Sequence, residues 1–379
     1  MLARRIVIAT HYYPPHTGGI ELVARNHAQR LSALGHDVTV ITSKVSPNEQ
    51  SGLDGDVRVI RIGALNPLEK HGVPQPIFSP RLLWEAARAV RRADIVHAHD
   101  VFYMSSLATG LAAWLLRKPF ILTQHIMYVQ HKIGLVNVAQ KIAYATSGRF
   151  LFNKSSTIFT LNDDVTDFLR SRHIPEHKIQ RMPNGVDPQL FFPPTASQKA
   201  AARKKFGLPT SGHVVLFVGR FVAKKGFDKV IAAHSAAYHL ALAGGETDEK
   251  LPKGVTALGK LPQSELAELY RTADLFVLPS TGEGFPLSVQ EAMATGIPVI
   301  TTDDPGYASY NLDKSLVRML PKPTKTSVRA AIVELLEDPA LRKKMSAYST
   351  QYAMDHFTWD RVVAELEQTY QATDKKEKS

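Results

Sequence analysis

Residues 5–42 read RIVIATHYYPPHTGGIELVARNHAQRLSALGHDVTVIT. A short apolar run at 6–9 leads into a loop holding Pro14, Pro15, Gly18 and Gly19. A helical stretch at 20–34 follows and stops at Gly35, which suits the backbone that ends a helix. A second apolar run begins at 38–42. Strand, glycine loop, helix, strand is one unit of a parallel α/β layer.

The alternation continues outward from this unit. Further strands are predicted at 57–62, 95–99, 120–123 and 158–161, with helices at 82–92, 105–116, 135–152 and 165–172. It breaks where Pro183, Asn184, Gly185, Pro188, Pro193 and Pro194 make a turn-rich passage suited to a linker. It then restarts, with strands at 214–218, 239–243, 275–279 and 299–301. The helices there are expected at 227–237, 263–271, 287–294 and 325–337. The tail reads as helical from Pro339, with a break at Phe357, Thr358 and Trp359. The closing DKKEKS reads as a disordered end. Two doubly wound, Rossmann-like α/β domains in series are expected, with a cleft at the carboxyl ends of the strands.

Bulk properties agree with this. A chain of 379 residues suits two domains, and 44% hydrophobic with 21% charged residues is a globular composition. The absence of cysteine excludes disulfides, thiolate metal sites and a Cys nucleophile. The opening IVIA run is too short for a secretory core, and no stretch approaches the ~18 apolar residues of a membrane span. A cytoplasmic protein is the expectation. The net charge is +11, and residues 1–190 hold 22 Lys+Arg against 14 Asp+Glu, a balance of +8 that leaves +3 for the rest. Residues 101–162 hold no acid but contain Arg117, Lys118, Lys132, Lys141, Arg149 and Lys154. Such a surface suits phosphate-rich partners, an anionic membrane among them, or is simply a solvated face.

Three motifs carry chemistry. Gly18 and Gly19 between strand and helix let a ligand approach backbone, and the helix start offers unpaired amides to an anion. Their adjacency is not the G-x-G-x-x-G of a dinucleotide enzyme, and alone such a pair is more often a tight turn than a site. Gly219–Arg220–Phe221 and Lys224–Lys225–Gly226 set cations between a strand and a helix N-terminus, where they can neutralise a diphosphate. Cations fixed there favour a departing nucleoside diphosphate as its charge grows. Glu283 lies in the turn after a strand and Glu291 about one turn inside the next helix, so each reaches a different part of one ligand.

Together these segments resemble the retaining glycosyltransferases of the GT-B fold, in glycosyltransferase family 4. The resemblance runs through PPHTGGIE, GHDVTVIT, DIVHAHD, ILTQH, PNGVD, VGRFVAKKG and GEGFPLSVQEAMATGIPVI. It implies two domains, 1–186 on the acceptor side and 187–357 holding the donor, with a last helix at 358–375 packing back on the first. It implies that Arg220 and Lys225, beside Gly219, hold the donor diphosphate. Glu291 would bind ribose hydroxyls and Glu283 the donor sugar. Backbone at Gly284, Phe285 and Leu287 would touch sugar or phosphate. Pro286, Lys260 and Leu261 would line the donor, with Gly18 and Gly19 opposite. His125, ending ILTQH, would serve a sugar hydroxyl or the developing positive charge, though without the resemblance a lone histidine reads first as a structural hydrogen-bonding group.

The chain departs from the pattern at Pro286, where many relatives have glycine, and at Asp303–Asp304–Pro305–Gly306–Tyr307, which replaces a glycine-rich segment. Asp163–Asp164 and Asp303–Asp304 lack the DxD spacing of metal-dependent transferases, so neither a metal nor a separate cofactor is expected. The expected partners are a nucleotide-diphosphate sugar and an acceptor glycan or glycolipid, and not nucleic acid. A nucleotide-sugar isomerase and a non-catalytic binding protein are the rival readings.

Overall fold

A computed structural model describes residues 3–16, 18–67, 69, 75–128, 134–247, 250–281 and 285–377. The chain divides into two compact units, Met1–Pro183 with Asp360–Ser379, and Asn184–Trp359.

The first unit opens with β1 (Arg5–Ala9), α1 (Gly19–Ala33), β2 (Asp37–Lys44), β3 (Gly52–Asp54), β4 (Val57–Leu65) and β5 (Ile77–Phe78). It goes on through α2 (Arg81–Arg92), β6 (Ile95–His99), α3 (Met104–Leu115), β7 (Phe120–Gln124) and α4 (Gly134–Ala143). It continues with α5 (Arg149–Lys154), β8 (Thr157–Thr160), α6 (Asp163–Ser171) and β9 (Ile179–Arg181). The sheet runs β3-β4-β2-β1-β6-β7-β8-β9, parallel except that β3 and β5 pair antiparallel with β4. Its centre is β1 beside β6, whose five residues are all buried, the mark of a strand covered on both faces. Gly35 sits just past α1 at φ +92°, a conformation glycine adopts without strain.

The second unit holds α7 (Ala196–Lys205), β10 (Val214–Val218), α8 (Phe227–Ala233), β11 (His239–Ala243), β12 (Val255–Ala257) and α9 (Gln263–Tyr270). Then come β13 (Leu275–Leu278), α10 (Leu287–Ala294), β14 (Val299–Thr302), β15 (Arg318–Leu320), α11 (Lys325–Glu337) and α12 (Pro339–His356). Six strands in the order β12-β11-β10-β13-β14-β15 are all parallel. The last helix, α13 (Trp359–Glu377), packs on the first unit. Tyr370 is fully buried with its Oη 2.8 Å from His97 Nδ1, and Glu367 pairs with His36 at 2.7 Å.

Several expectations are corrected. The helix expected at 135–152 is three pieces, α4, a π turn over Tyr144–Gly148, and α5. Gly148 lies against the Ala143 carbonyl, where a Cβ would come within 3.2 Å, so this turn is widened at a crowded point. The helix expected at 227–237 ends at Ala233. Of the closing DKKEKS, the first four residues continue the helix, which runs through Glu377. The proline-rich passage is packed backbone in its later part: Phe191 is fully buried, and Val186 bridges to Thr358. Gly185 lies so close under Trp359 that a Cβ would meet the indole at 2.2 Å. Helix α7, capped reciprocally by Thr195 and Gln198, and the short strands β3, β5, β9, β12 and β15 were not anticipated.

Candidate active site

In the second unit the loops after β10, β11 and β13 converge at the carboxyl edge of the sheet. Gly219 donates its amide to the Ala243 carbonyl at 2.9 Å, and the Lys225 side chain lies over it, 3.5 Å from where a Cβ would be. Gly244, at φ +101°, presses against the Gly219 backbone, and its amide bonds the Gly259 carbonyl at 2.8 Å. Gly226 joins the 3-10 turn Ala223–Lys225 to α8 at φ +73°, with the Pro279 carbonyl 2.5 Å from any added Cβ. Thr281 then bonds back to the Lys224 carbonyl at 2.9 Å. These close backbone approaches require glycine at 226 and 244, and they fix Arg220 and Lys225 on the loop. Arg220 is exposed, Lys225 half-buried, and the Arg220 guanidinium has no ion-pair partner among the described residues. Lys260 is exposed on the neighbouring loop, while Leu261 packs partly into the core.

Helix α10 starts at the same edge. Pro286 is its N-cap at φ −64°, and the first-turn amides at Leu287 and Ser288 have no partner within the helix. The Phe285 side chain is anchored in the core, stacked on Tyr310 at 4.5 Å and edge-on to Tyr307, so only its backbone is available to a ligand. Glu291 is 4% exposed and accepts a 2.9 Å bond from Tyr270 Oη. Burial pushes its carboxyl up to about 8, the tyrosine bond opposing this only in part. Gly282, Glu283 and Gly284 lie outside the described residues, so the expected roles of Glu283 and Gly284 rest on sequence alone.

In the first unit, Gly18 is the N-cap of α1 and Gly19 its first residue, with open space beside Gly19. Glu21 folds back over Gly18, its carboxylate occupying the place of a Cβ at 2.2 Å. It lies 3.2 Å from His16 Nδ1 and 3.8 Å from His11 Nε2. Burial disfavours the His16 cation, yet bonds to Glu21 and Glu69 raise its pKa above the usual value. The sequence signal was available: Glu21 stands three residues after the helix cap, where an acid reaches back to the helix start.

His125 is half-buried just past β7, with its Nε2 2.9 Å from His99 Nδ1. His99 Nε2 is buried without a hydrogen-bond partner among the described residues. A buried bare acceptor is less costly than a buried unpaired N–H. That assigns the shared proton to His99 Nδ1 and leaves His125 with its own proton on Nδ1. Burial, reinforced by neighbouring His99, lowers the His125 pKa far enough that the ring is neutral near pH 7. The loop that carries it is held by Asp100, a fully buried residue at φ +63° whose carboxyl accepts from the His125 and Ile126 amides and from Gln124. Asp100, the last residue of DIVHAHD, is a positioning residue whose role its residue type and spacing do not reveal.

Two family models match this chain, Glycosyltransferase Family 4 over residues 17–190 and Glycosyl transferases group 1 over residues 198–352. The chain belongs to glycosyltransferase family 4. A similar protein is the D-inositol 3-phosphate glycosyltransferase of Jonesia denitrificans, 26% identical over 94% of this chain and 91% of that one. Sucrose-phosphate synthase from Thermosynechococcus elongatus shares the fold at a TM-score of 0.76 and 23% identity, covering 97% of this chain and 98% of the other. Anabaena HepE, in complex with UDP and glucose, matches at a TM-score of 0.77 and 16% identity over 97% and 99%. The family 4 chain is thus a GT-B glycosyltransferase.

Within this glycosyltransferase, His27, His97 and His99 bring ring nitrogens within 4.8 Å of one another. Both His97 nitrogens are engaged, with Tyr370 Oη at 2.8 Å and Thr123 Oγ1 at 2.7 Å, and its ring stacks on His99 at 5.0 Å. The trio is a set of ring contacts inside the core, with His97 bonded at both nitrogens, and it packs behind the His99–His125 pair.

Proposed function

We propose that this glycosyltransferase moves a hexosyl group from a UDP- or GDP-linked sugar to an acceptor hydroxyl with retention at the anomeric carbon, without metal. The observation that carries the reading is the carboxyl edge of the second sheet. There a glycine-crossed loop carries Arg220 and Lys225, and the start of α10 leads to the buried Glu291. UDP is the nucleotide bound by the similarly folded HepE. On this reading the two cations and the α10 amides take the diphosphate, and Glu291 turns to the ribose hydroxyls. The acceptor oxygen bonds the anomeric carbon on the face from which the diphosphate leaves. The carbon–oxygen bond to phosphate breaks, and the hydroxyl proton passes to a leaving phosphate oxygen. Neutral His125 donates to a sugar hydroxyl.

The acceptor on this proposal is a lipid-linked or cell-envelope glycan met at an anionic membrane surface. A soluble phosphorylated polyol is the second reading, favoured by the name of the Jonesia relative. The test is a panel of nucleotide sugars scored first by thermal shift and then by nucleotide release with and without acceptor, with product configuration read by NMR. Turnover of no nucleotide sugar, or an inverted product, would sink the proposal. An altered sugar nucleotide formed without any acceptor would identify an isomerase instead.

A further inference from the structure

Helix α3 is built inside out. Its exposed residues are Met104, Leu107, Leu111, Trp114 and Leu115, all apolar and between 36% and 64% exposed. Its buried face holds the small and hydroxylic residues Ser105, Ser106, Thr109 and Gly110. The Ser106 hydroxyl donates to the His99 carbonyl at 3.1 Å and that of Thr109 to Ser105 at 2.8 Å. Gly110 is so tightly set that a Cβ would stand 2.3 Å from Leu151. Close packing of small groups holds the helix, and its large apolar side chains all point to solvent. A contiguous exposed apolar face of this kind marks an interaction surface.

The surroundings indicate what it meets. Helix α2 packs beside α3 and exposes Leu83 and Trp84, with the Arg88 guanidinium 5.2 Å from the Trp84 ring. Lys154 of α5 sits 5.3 Å from the Trp114 ring. Between positions 79 and 162 the only acids are Glu85, Asp94 and Asp100. Glu85 is buried against Arg81, Asp94 is bound by Arg5, and Asp100 is fully buried. On the flank of α2, an open hollow of about 570 Å³ is lined by five arginines, Arg5, Arg58, Arg81, Arg88 and Arg92, against two acids, Asp37 and Glu85. A second copy of this chain would set this positive layer against itself. Exposed indoles, leucines and arginines together suit the headgroup zone of an anionic bilayer.

We propose that the α2–α3 face of the first unit docks on an anionic phospholipid surface. Trp84 and Trp114 lie at headgroup depth, Leu107, Leu111 and Leu115 enter the acyl boundary, and the α2 arginines hold lipid phosphates. This inference rests on the sugar-transfer reading only in giving a membrane-borne acceptor a place to be met.

The chain carries its own reporters, because it has three tryptophans and the third, Trp359, is 1% exposed. The full chain is titrated with vesicles of phosphatidylglycerol and phosphatidylcholine, and with phosphatidylcholine alone, following indole emission and its quenching by brominated acyl chains. Anionic vesicles are expected to shift the emission to the blue and to allow quenching, and phosphatidylcholine alone is not. Arg88→Glu and Arg92→Glu are each expected to weaken binding by at least about fivefold. Leu111→Asp with Leu115→Asp is expected to abolish quenching while the buried Trp359 emission persists as the sign of a folded chain. No blue shift with anionic vesicles, or quenching unchanged by the leucine pair, overturns the proposal. So does a self-associated wild type that ignores vesicles. Nucleotide-sugar hydrolysis without vesicles is measured beside it, so that a failure of docking and a failure of the donor reading are seen separately.

Discussion

Glu291→Gln should make the ligand-free protein more stable near neutral pH while impairing donor binding. The buried carboxyl titrates at about 8 in the folded chain against an ordinary 4.5, because burial disfavours its charge. At pH 7 the folded state therefore holds a proton that the unfolded state has released. Over 2.5 units at about 1.36 kcal/mol each, this amounts to roughly 3 kcal/mol of lost stability. Glutamine can still accept from Tyr270 Oη, but its amide N–H needs a new partner, so a net gain of about 2 kcal/mol is expected. The second unit spans 176 residues, from Asn184 to Trp359, so its melting point should rise by about 4–8 °C. The sign is checkable. The folded chain binds the extra proton between the two values, so wild-type stability falls as pH rises through 4.5–8. The variant lacks that slope. Thermal melts at pH 4 and pH 7, with and without UDP, are the assay. The gap should be small at pH 4 and wide at pH 7, and stabilisation by UDP should shrink in the variant. A variant less stable than wild type at pH 7, or an equal gap at both pH values, would refute the reasoning.

Arg220→Ala and Lys225→Ala should each lower kcat/KM for the nucleotide sugar by about 10²–10³-fold, the usual loss when one fixed donor to a developing anion is removed. Near wild-type values would dismiss the phosphate role. Gly226→Ala should cost at least about 1–2 kcal/mol from its left-handed backbone, with more from the Pro279 carbonyl, and should raise KM for the donor. Thermal unfolding and saturation kinetics read both effects. The first unit should be acid-labile. Burial pushes His99 down to about 3 and also lowers His27, His97 and His125, so the unfolded chain binds protons that the folded one refuses below about 6.5. Stability should therefore fall with pH, by about 2 kcal/mol at pH 5 for His99 alone. Equal urea midpoints at pH 5 and pH 7.5 would contradict this.

Much of the fold was legible because parallel strands buried on both faces leave unbroken apolar runs, and β6 and β10 stand where those runs were read. The edge strands β3, β12 and β15 have three residues each, too short for any periodicity to show. Arg220, Lys225 and Gly226 could be read from residue type between a strand and a helix. The burial of Glu291 could not, since it depends on Tyr270 arriving from another helix. Likewise, no spacing rule reveals that Asp100 holds the His125 loop across two strands. Helix α3 shows a deeper limit. Spacing reveals an apolar stripe, but only the packing of Gly110 on Leu151 shows that the stripe faces outward.

The placement of α13 has a consequence for synthesis. The helix supplies Tyr370 to His97 and Glu367 to His36, both in segments translated well before it. Between them the ribosome must make the 176 residues of the other unit, which takes roughly 10–35 s at ordinary elongation rates. During that interval the nascent first sheet lacks one of its covering helices, and its histidines are open to solvent. The earlier unit cannot complete its core until α13 has been made, whereas the later unit draws on no residue beyond Trp359.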